Sequence, residues 1–288
     1  MEPVSHRVEG AHGNRLHVLE WSREGVPMVL LHGHGNDAHL WDDFVPCVAP
    51  HYRVLAVDQR GHGDSDWDPQ ARYDSDSMAS DLEKILEAFG IDRFVLIGFS
   101  MGGRASMIFA ERHPERLAGL VLVDIGPELD ARGRIRIGSE IAEHRSPVFR
   151  DVEEYARMLS RNYPAGSPEA LRRMAKYGLR PRADGQYELK MDPKLRGPAS
   201  PDLEQEAAMR AAEVEMTRRC WDALAKIPCP TLVVRGAASD ILSPEVADRM
   251  VDEVLQKGRL AVVPRAAHSV ATDNPQGFEE AVAAFVLG

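Results

Sequence analysis

Cysteine is scarce in this chain of 288 residues. The three present, Cys47, Cys220 and Cys229, are odd in number and far apart, with no metal-ligand or redox spacing, so reduced thiols in a cytoplasmic protein are expected. No apolar run approaches the roughly 18 residues of a membrane span, and the opening "MEPVSHRVEGAHG" lacks the apolar core of a signal segment. Lysine and arginine form no block, and the formal net charge is −10. That argues against a nucleic-acid surface, because a phosphate backbone demands a basic patch. A small anionic substrate needs only one or two local arginines and stays open. Internal repeats and low-complexity tracts are missing too. The stretch "HGHGNDAH" has the histidines of a metal site, but its alternate glycines fit a tight backbone turn better, and no metal is expected.

What the chain does contain is a rhythm. Short apolar runs recur at "VPMVLLHG", "YRVLAVDQ", "RFVLIGFS", "LAGLVLVD", "CPTLVVRG" and "GRLAVVPR". They are rich in branched residues and lack polar alternation, as strands buried on both faces of a parallel sheet are. Helical periodicity lies between them, in "DSMASDLEKILEAFGI" with its Gly90 stop, "MGGRASMIFAERHPERL", "PEVADRMVDEVLQKG" and the closing "PQGFEEAVAAFVLG". Alternation of this kind predicts a doubly wound, mostly parallel α/β sheet. From 128 to 221 the rhythm breaks. Charged helical segments joined by proline and glycine replace the strands, which predicts a helical insertion acting as a lid (128–221) on a core formed by 1–127 and 222–288.

The sequence "GFSMG" fits G-x-S-x-G, with Gly98, Ser100 and Gly102, preceded by a buried strand and followed by a helix. A serine on so sharp a turn needs small neighbours, and in return its hydroxyl stands exposed at the positive end of a helix. A tight turn without chemistry is the plainer alternative. A hydroxyl is a poor nucleophile without a general base. His268, in "RAAHSVATDNP" after the last expected strand, is placed to serve. A tetrahedral oxyanion needs preorganised N–H donors: the backbone N–H of Met101, next to the serine, and that of His34, where "LLHGHG" turns at Gly33 and folds over the site.

Taken together, "HGHG" at 32–35, "VDQRGHGDSD" at 57–66, "GFSMGG" at 98–103, "VLVDIGPE" and the terminal "AAH" resemble the α/β-hydrolase superfamily over nearly the whole chain. The resemblance implies a Ser–His–acid triad, an inserted lid, and no cofactor. The usual acid position after the lid follows a G-x-x-D pattern, but in "RGAASDILSPE" Ser239 stands where that aspartate belongs, and Asp240 comes one residue late. Some superfamily members with serine in that slot, which this chain resembles through "DQRGHG", the strand-end aspartate and the lid, use an acid closing the strand before the lid, here Asp124. Asp124 is therefore favoured, with Asp240 the alternative and Ser239 a hydrogen-bond partner. An aspartate closing a strand also caps loops.

A serine nucleophile disfavours the epoxide hydrolases and haloalkane dehalogenases of the fold, which need a carboxylate. The expected activity is cofactor-free hydrolysis of a small ester, lactone, amide or activated C–C acyl substrate. The alternative is a lyase or cofactor-free oxygenase that uses His268 as base. Arg104, four residues after Ser100, has a spacing that resembles superfamily members handling carboxylated substrates; it and Gly33 are candidate substrate contacts, with Arg180 and Arg182 weaker ones. A homodimer stays open.

Overall fold

The computed structural model describes residues 2–133, 135–136, 148–197 and 202–288. Two strands that hydropathy does not announce come first, the hairpin β1 (Val4–Glu9) and β2 (Arg15–Glu20). The six apolar runs follow as β3 (Val26–Leu31), β4 (Tyr52–Asp58), β5 (Phe94–Phe99), β6 (Leu117–Val123), β10 (Thr231–Gly236) and β11 (Gly258–Val263). They form one eight-stranded sheet in the order β1-β2-β4-β3-β5-β6-β10-β11. Its pairs are parallel from β4 to β11, while β2 runs antiparallel to both β1 and β4.

β11 departs from the expectation of burial on both faces. It is an edge strand paired only with β10, and Val262 is exposed. The inner strands match it: every residue of β5 and β10 is buried. One side of the sheet packs under α1 (Ser75–Ala88) and α2 (Met101–Arg112), through Leu82, Ile85, Ile108 and Phe109. Asp74 caps α1 by accepting from the Ser77 N–H at 2.8 Å, and Gly90, at φ 62°, ends it in the left-handed region. The other side packs under Trp41, Phe44 and α6 (Pro275–Val286).

Between β6 and β10 the chain carries α3 (Val152–Asn162), α4 (Pro168–Gly178) and α5 (Leu203–Lys226). The expectation of an insertion without strands needs correction. β7 (Val148–Phe149), β8 (Leu179–Pro181) and β9 (Tyr187–Leu189) form a small antiparallel sheet in the order β7-β9-β8. These strands have two or three residues each, too short to leave a period-two signal. The inserted segment has its own apolar cluster, including Phe149, Tyr155, Leu159 and Leu171. α5 runs unbroken across residues 221 and 222, and its last turns bury Cys220, Ala223 and Leu224. Two of these, Cys220 and Leu224, lie in the same cluster as Ala105 and Ile108 of α2. Among the described residues no helix is long and apolar enough to cross a membrane.

Candidate active site

In a doubly wound sheet the carboxyl ends of neighbouring strands open onto one crevice. Here the ends of β3, β5, β6 and β10 lie side by side, and the loop after β11 returns over them. Ser100 sits between β5 and α2 at φ 50°, ψ −113°, a conformation that L residues rarely adopt. The turn closes only around small residues. A Cβ on Gly98 would lie 2.4 Å from the Ser106 hydroxyl oxygen, and one on Gly102 would lie 2.5 Å from the Leu31 carbonyl. The Gly102 N–H donates to the His32 carbonyl at 3.1 Å, tying this turn to the end of β3.

His268 Nε2 lies 3.0 Å from Ser100 Oγ, and its Nδ1 lies 2.9 Å from Asp124 Oδ2. A carboxylate only accepts, so Nδ1 is the donor in that pair and Nε2 faces the serine hydroxyl. Asp124 is fully buried and held at φ 48° immediately after β6. Its other partners are the Gly236 N–H, donating to Oδ1 at 2.8 Å, and the Ser239 hydroxyl, donating to Oδ2 at 2.5 Å. Ser239 Oγ in turn accepts from the N–H groups of Ile241 and Leu242, each at 3.1 Å. Ser100 and Asp124, two of the four described non-glycine residues at positive φ, thus flank the same imidazole.

Asp240 stands elsewhere. Arg136 Nε donates to its Oδ2 at 2.7 Å and Nη2 to its Oδ1 at 2.9 Å, and that guanidinium holds its carboxyl below the usual range. Of the two candidate acids, the structure brings Asp124 to His268.

The loop after β3 is fixed by its histidines. His32 is buried, bonds through Nδ1 to the Gly33 carbonyl at 2.7 Å, and accepts the Gln59 N–H on Nε2 at 3.0 Å. A Cβ on Gly33 would lie 2.6 Å from the Phe99 ring, so glycine lets the loop press onto β5. Gly33 itself does not line the cavity beside Ser100, whereas His34 and Gly35 do. No acceptor among the described residues takes the backbone N–H of His34 or of Met101. Burial first, then the charge of Arg196 and the neighbouring His32, push the His34 imidazole down to about 4. It is neutral at ordinary pH.

Arg104 is placed differently from the expectation of a substrate contact. Its Nη1 and Nη2 donate to the two carboxylate oxygens of Glu213 on α5, at 2.7 and 2.6 Å, and it does not line the cavity. Arg180 and Arg182 likewise bond to Glu188, at 2.8 and 3.0 Å. The cavity beside Ser100 measures about 150 Å³. Its described cationic side chains are Lys190 and Arg196, neither of which stood out in the sequence. Tyr155, Met158 and Leu159 of α3 wall it from the inserted segment's side.

Asp58, at the end of β4, lies behind this loop. It accepts from the Ala38 and Asp64 N–H groups at 2.6 and 2.8 Å and from His17 Nδ1 at 2.7 Å. Burial works against its charge, but these donors hold its carboxyl below the usual range. His17, Asp58 and Asp64 are the described residues with a metal-like grouping, their ligand atoms all within 4.8 Å of one another. The oxygens of Asp58 are already engaged, and neither His17 nor Asp58 lines the cavity. Arg60 and His62 brace the same region: Arg60 bonds bidentately to Asp81 at 2.6 and 2.7 Å, and His62 Nε2 accepts from the Gly35 N–H at 3.2 Å.

A mostly parallel sheet of this order with a serine at the turn after β5 defines a class, and the chain has the α/β-hydrolase fold. The family model for the alpha/beta hydrolase fold matches residues 26–141. The crystal structure of an alpha/beta hydrolase from Novosphingobium aromaticivorans superposes with a TM-score of 0.79 at 29% identity, covering 98% of this chain and 97% of that one. Among curated relatives, the 2-(acetamidomethylene)succinate hydrolase of Mesorhizobium japonicum is 25% identical over 91% of this chain and 88% of its own length. The 3-hydroxybutyrate-oligomer hydrolase of Cupriavidus necator is 29% identical over 83% of this chain and 82% of its own. The chain is an enzyme of the hydrolase class.

Proposed function

We propose that this enzyme is a cofactor-free serine hydrolase that cleaves a small ester, lactone, amide or activated C–C acyl substrate through an acyl-enzyme on Ser100. The observation that carries this reading is the hydrogen-bonded relay from Ser100 Oγ through His268 to Asp124. As Ser100 Oγ attacks the acyl carbon, His268 Nε2 takes its proton, and Asp124 stabilises the imidazolium that forms. The N–H groups of Met101 and His34 receive the oxyanion. His268 then protonates the leaving group, and a water, deprotonated by the same nitrogen, releases the acyl group and frees Ser100. The inserted segment, residues 128–221 by the sequence, serves as the lid. Its α3 supplies one wall of the cavity. The size of the cavity supports a small substrate, since about 150 Å³ holds a molecule of benzene's dimensions. The two curated relatives, named for hydrolysing a succinate derivative and hydroxybutyrate oligomers, support hydrolysis of a small molecule.

The test is a fluorophosphonate probe together with a panel of p-nitrophenyl esters. Wild-type protein should be labelled on Ser100, and Ser100→Ala should escape labelling and lose about 10⁴-fold or more in kcat. Near-wild-type ester turnover by Ser100→Ala would overturn the acyl-enzyme. It would favour chemistry run by His268 alone, as in a lyase or a cofactor-free oxygenase.

A further inference from the structure

Asn36 is only 8% exposed, yet its carboxamide has no hydrogen-bond partner among the described residues. An asparagine in a turn usually caps the backbone two residues on, and a buried amide left unpaired is costly. Here the neighbouring Asp37 does the capping, accepting from the His39 N–H at 2.9 Å. The Asn36 amide is not among the unpartnered groups sealed inside protein, and the residue lines the cavity beside Ser100. Its backbone N–H donates to the Gly33 carbonyl at 3.2 Å, and a Cβ on Gly33 would lie 3.2 Å from Asn36 Oδ1. The missing side chain at Gly33 thus leaves room for the carboxamide on the loop that carries the His34 N–H. The charged groups at the wall are occupied or neutralised. Lys190 is held by Asp64 through a 2.8 Å ion pair, and Arg196 is engaged within the protein. Burial, and then the Asp58 carboxylate, push the Asp37 carboxyl well above the usual range. The polar groups left open include a second neutral carboxamide, that of Asn162 at the end of α3.

We propose that the acyl chain of the substrate carries an uncharged group that both donates and accepts hydrogen bonds, a carboxamide or a hydroxyl, and that Asn36 is the residue that selects it. This deepens the serine-hydrolase reading and rests on it for the chemistry. The leaving group departs toward His268, whereas Asn36 stands on the loop of the oxyanion donor, which assigns the contact to the acyl chain. An asparagine side chain offers N–H donors and a carbonyl acceptor side by side, so it meets a second carboxamide through two hydrogen bonds. A carboxylate only accepts and would leave the Asn36 carbonyl unpaired. An apolar group of the same shape would leave both ends unpaired, a larger penalty than the loss of one apolar contact.

The experiment follows acid release in a pH-stat from three methyl esters of nearly equal shape: methyl succinamate, monomethyl succinate and methyl 4-methylpentanoate. Wild type should prefer the succinamate over both in kcat/KM, by about tenfold or more over the apolar ester. Asn36→Leu keeps the size of the side chain and should bring that ratio down to about one, while Asn36→Ser, with a donor and an acceptor on a shorter arm, should retain part of it. A ratio unchanged in Asn36→Leu would make Asn36 a structural residue and overturn the proposal. So would a wild type that favours monomethyl succinate or the apolar ester. Binding of methyl succinamate to Ser100→Ala, titrated by NMR with and without Asn36→Leu, reads the contact without any turnover. Weaker binding without the carboxamide upholds the contact even where the serine chemistry fails. Binding indifferent to Asn36 sinks it even where the serine chemistry stands.

Discussion

Replacing Asp124 with asparagine keeps the side chain's size while removing its charge and offering an N–H where His268 needs an acceptor. The imidazole would then settle in the tautomer that cannot receive the serine proton. Asp124→Asn should lower kcat by up to about 10⁴-fold with the fold intact by circular dichroism. Asp240→Asn should stay within several-fold of wild type, because the partner it loses is Arg136. Steady-state kinetics on one ester decide between them. The sequence points to Ser100 and His268 because each occupies an ordered motif. The choice of acid rests on one register detail, Ser239 in the aspartate's slot. The reason appears only in three dimensions: Ser239 donates to the acid that replaces it. Arg196 was not legible, since "DPKLRGP" carries no periodicity or motif to set one arginine apart from the rest.

At the scale of elements, α3 serves both the inserted segment's apolar cluster and the cavity. Tyr155 and Leu159 are buried in the cluster, while Met158, half-buried, lines the cavity more freely. Met158→Ala should enlarge the cavity at little cost in stability. It should raise kcat/KM for longer acyl chains relative to acetate, by about fourfold per methylene that gains burial. An ester series from acetate to hexanoate measures this, with a urea midpoint as the stability control. The central strands and main helices were readable because they are buried on both faces or carry a 3.6-residue stripe. The hairpin of β1 and β2 was not, because charge enters its buried positions. Glu20 is buried against Arg53 at 2.8 Å and His6 at 2.9 Å, and His17 against Asp58 at 2.7 Å. Pairing satisfies those groups and hides the strand from any hydropathy pattern.

For the whole molecule, buried histidines set the response to acid. His32, His34 and His62 are all pushed below the ordinary imidazole value, burial being the first cause for each, with His34 at about 4. Each is neutral when folded and takes up a proton when unfolded, so its contribution is present above about pH 6.5 and is lost as pH falls toward 4. Asp37 and Asp273 have the opposite sign, their carboxyls raised first by burial and favouring the fold as pH drops. Three histidines outweigh two aspartates in that window. Stability should fall on acidification from pH 7 to pH 4.5, by up to about 1.4 kcal/mol per pH unit for each net proton. Urea denaturation at a series of pH values checks the slope, and His62→Asn should flatten it. A midpoint that rises on acidification would contradict the burial of these imidazoles in neutral form.

The hydrogen bond between Ser100 and His268 spans 168 residues of chain, and that between Asp124 and His268 spans 144. On a ribosome adding about 5–20 residues per second, the turn holding Ser100 is made roughly ten to thirty seconds before its histidine. During that interval the nascent polypeptide carries a serine with no base. In the proposed reading the serine therefore has no partner base until the segment after β11 folds back across the crevice.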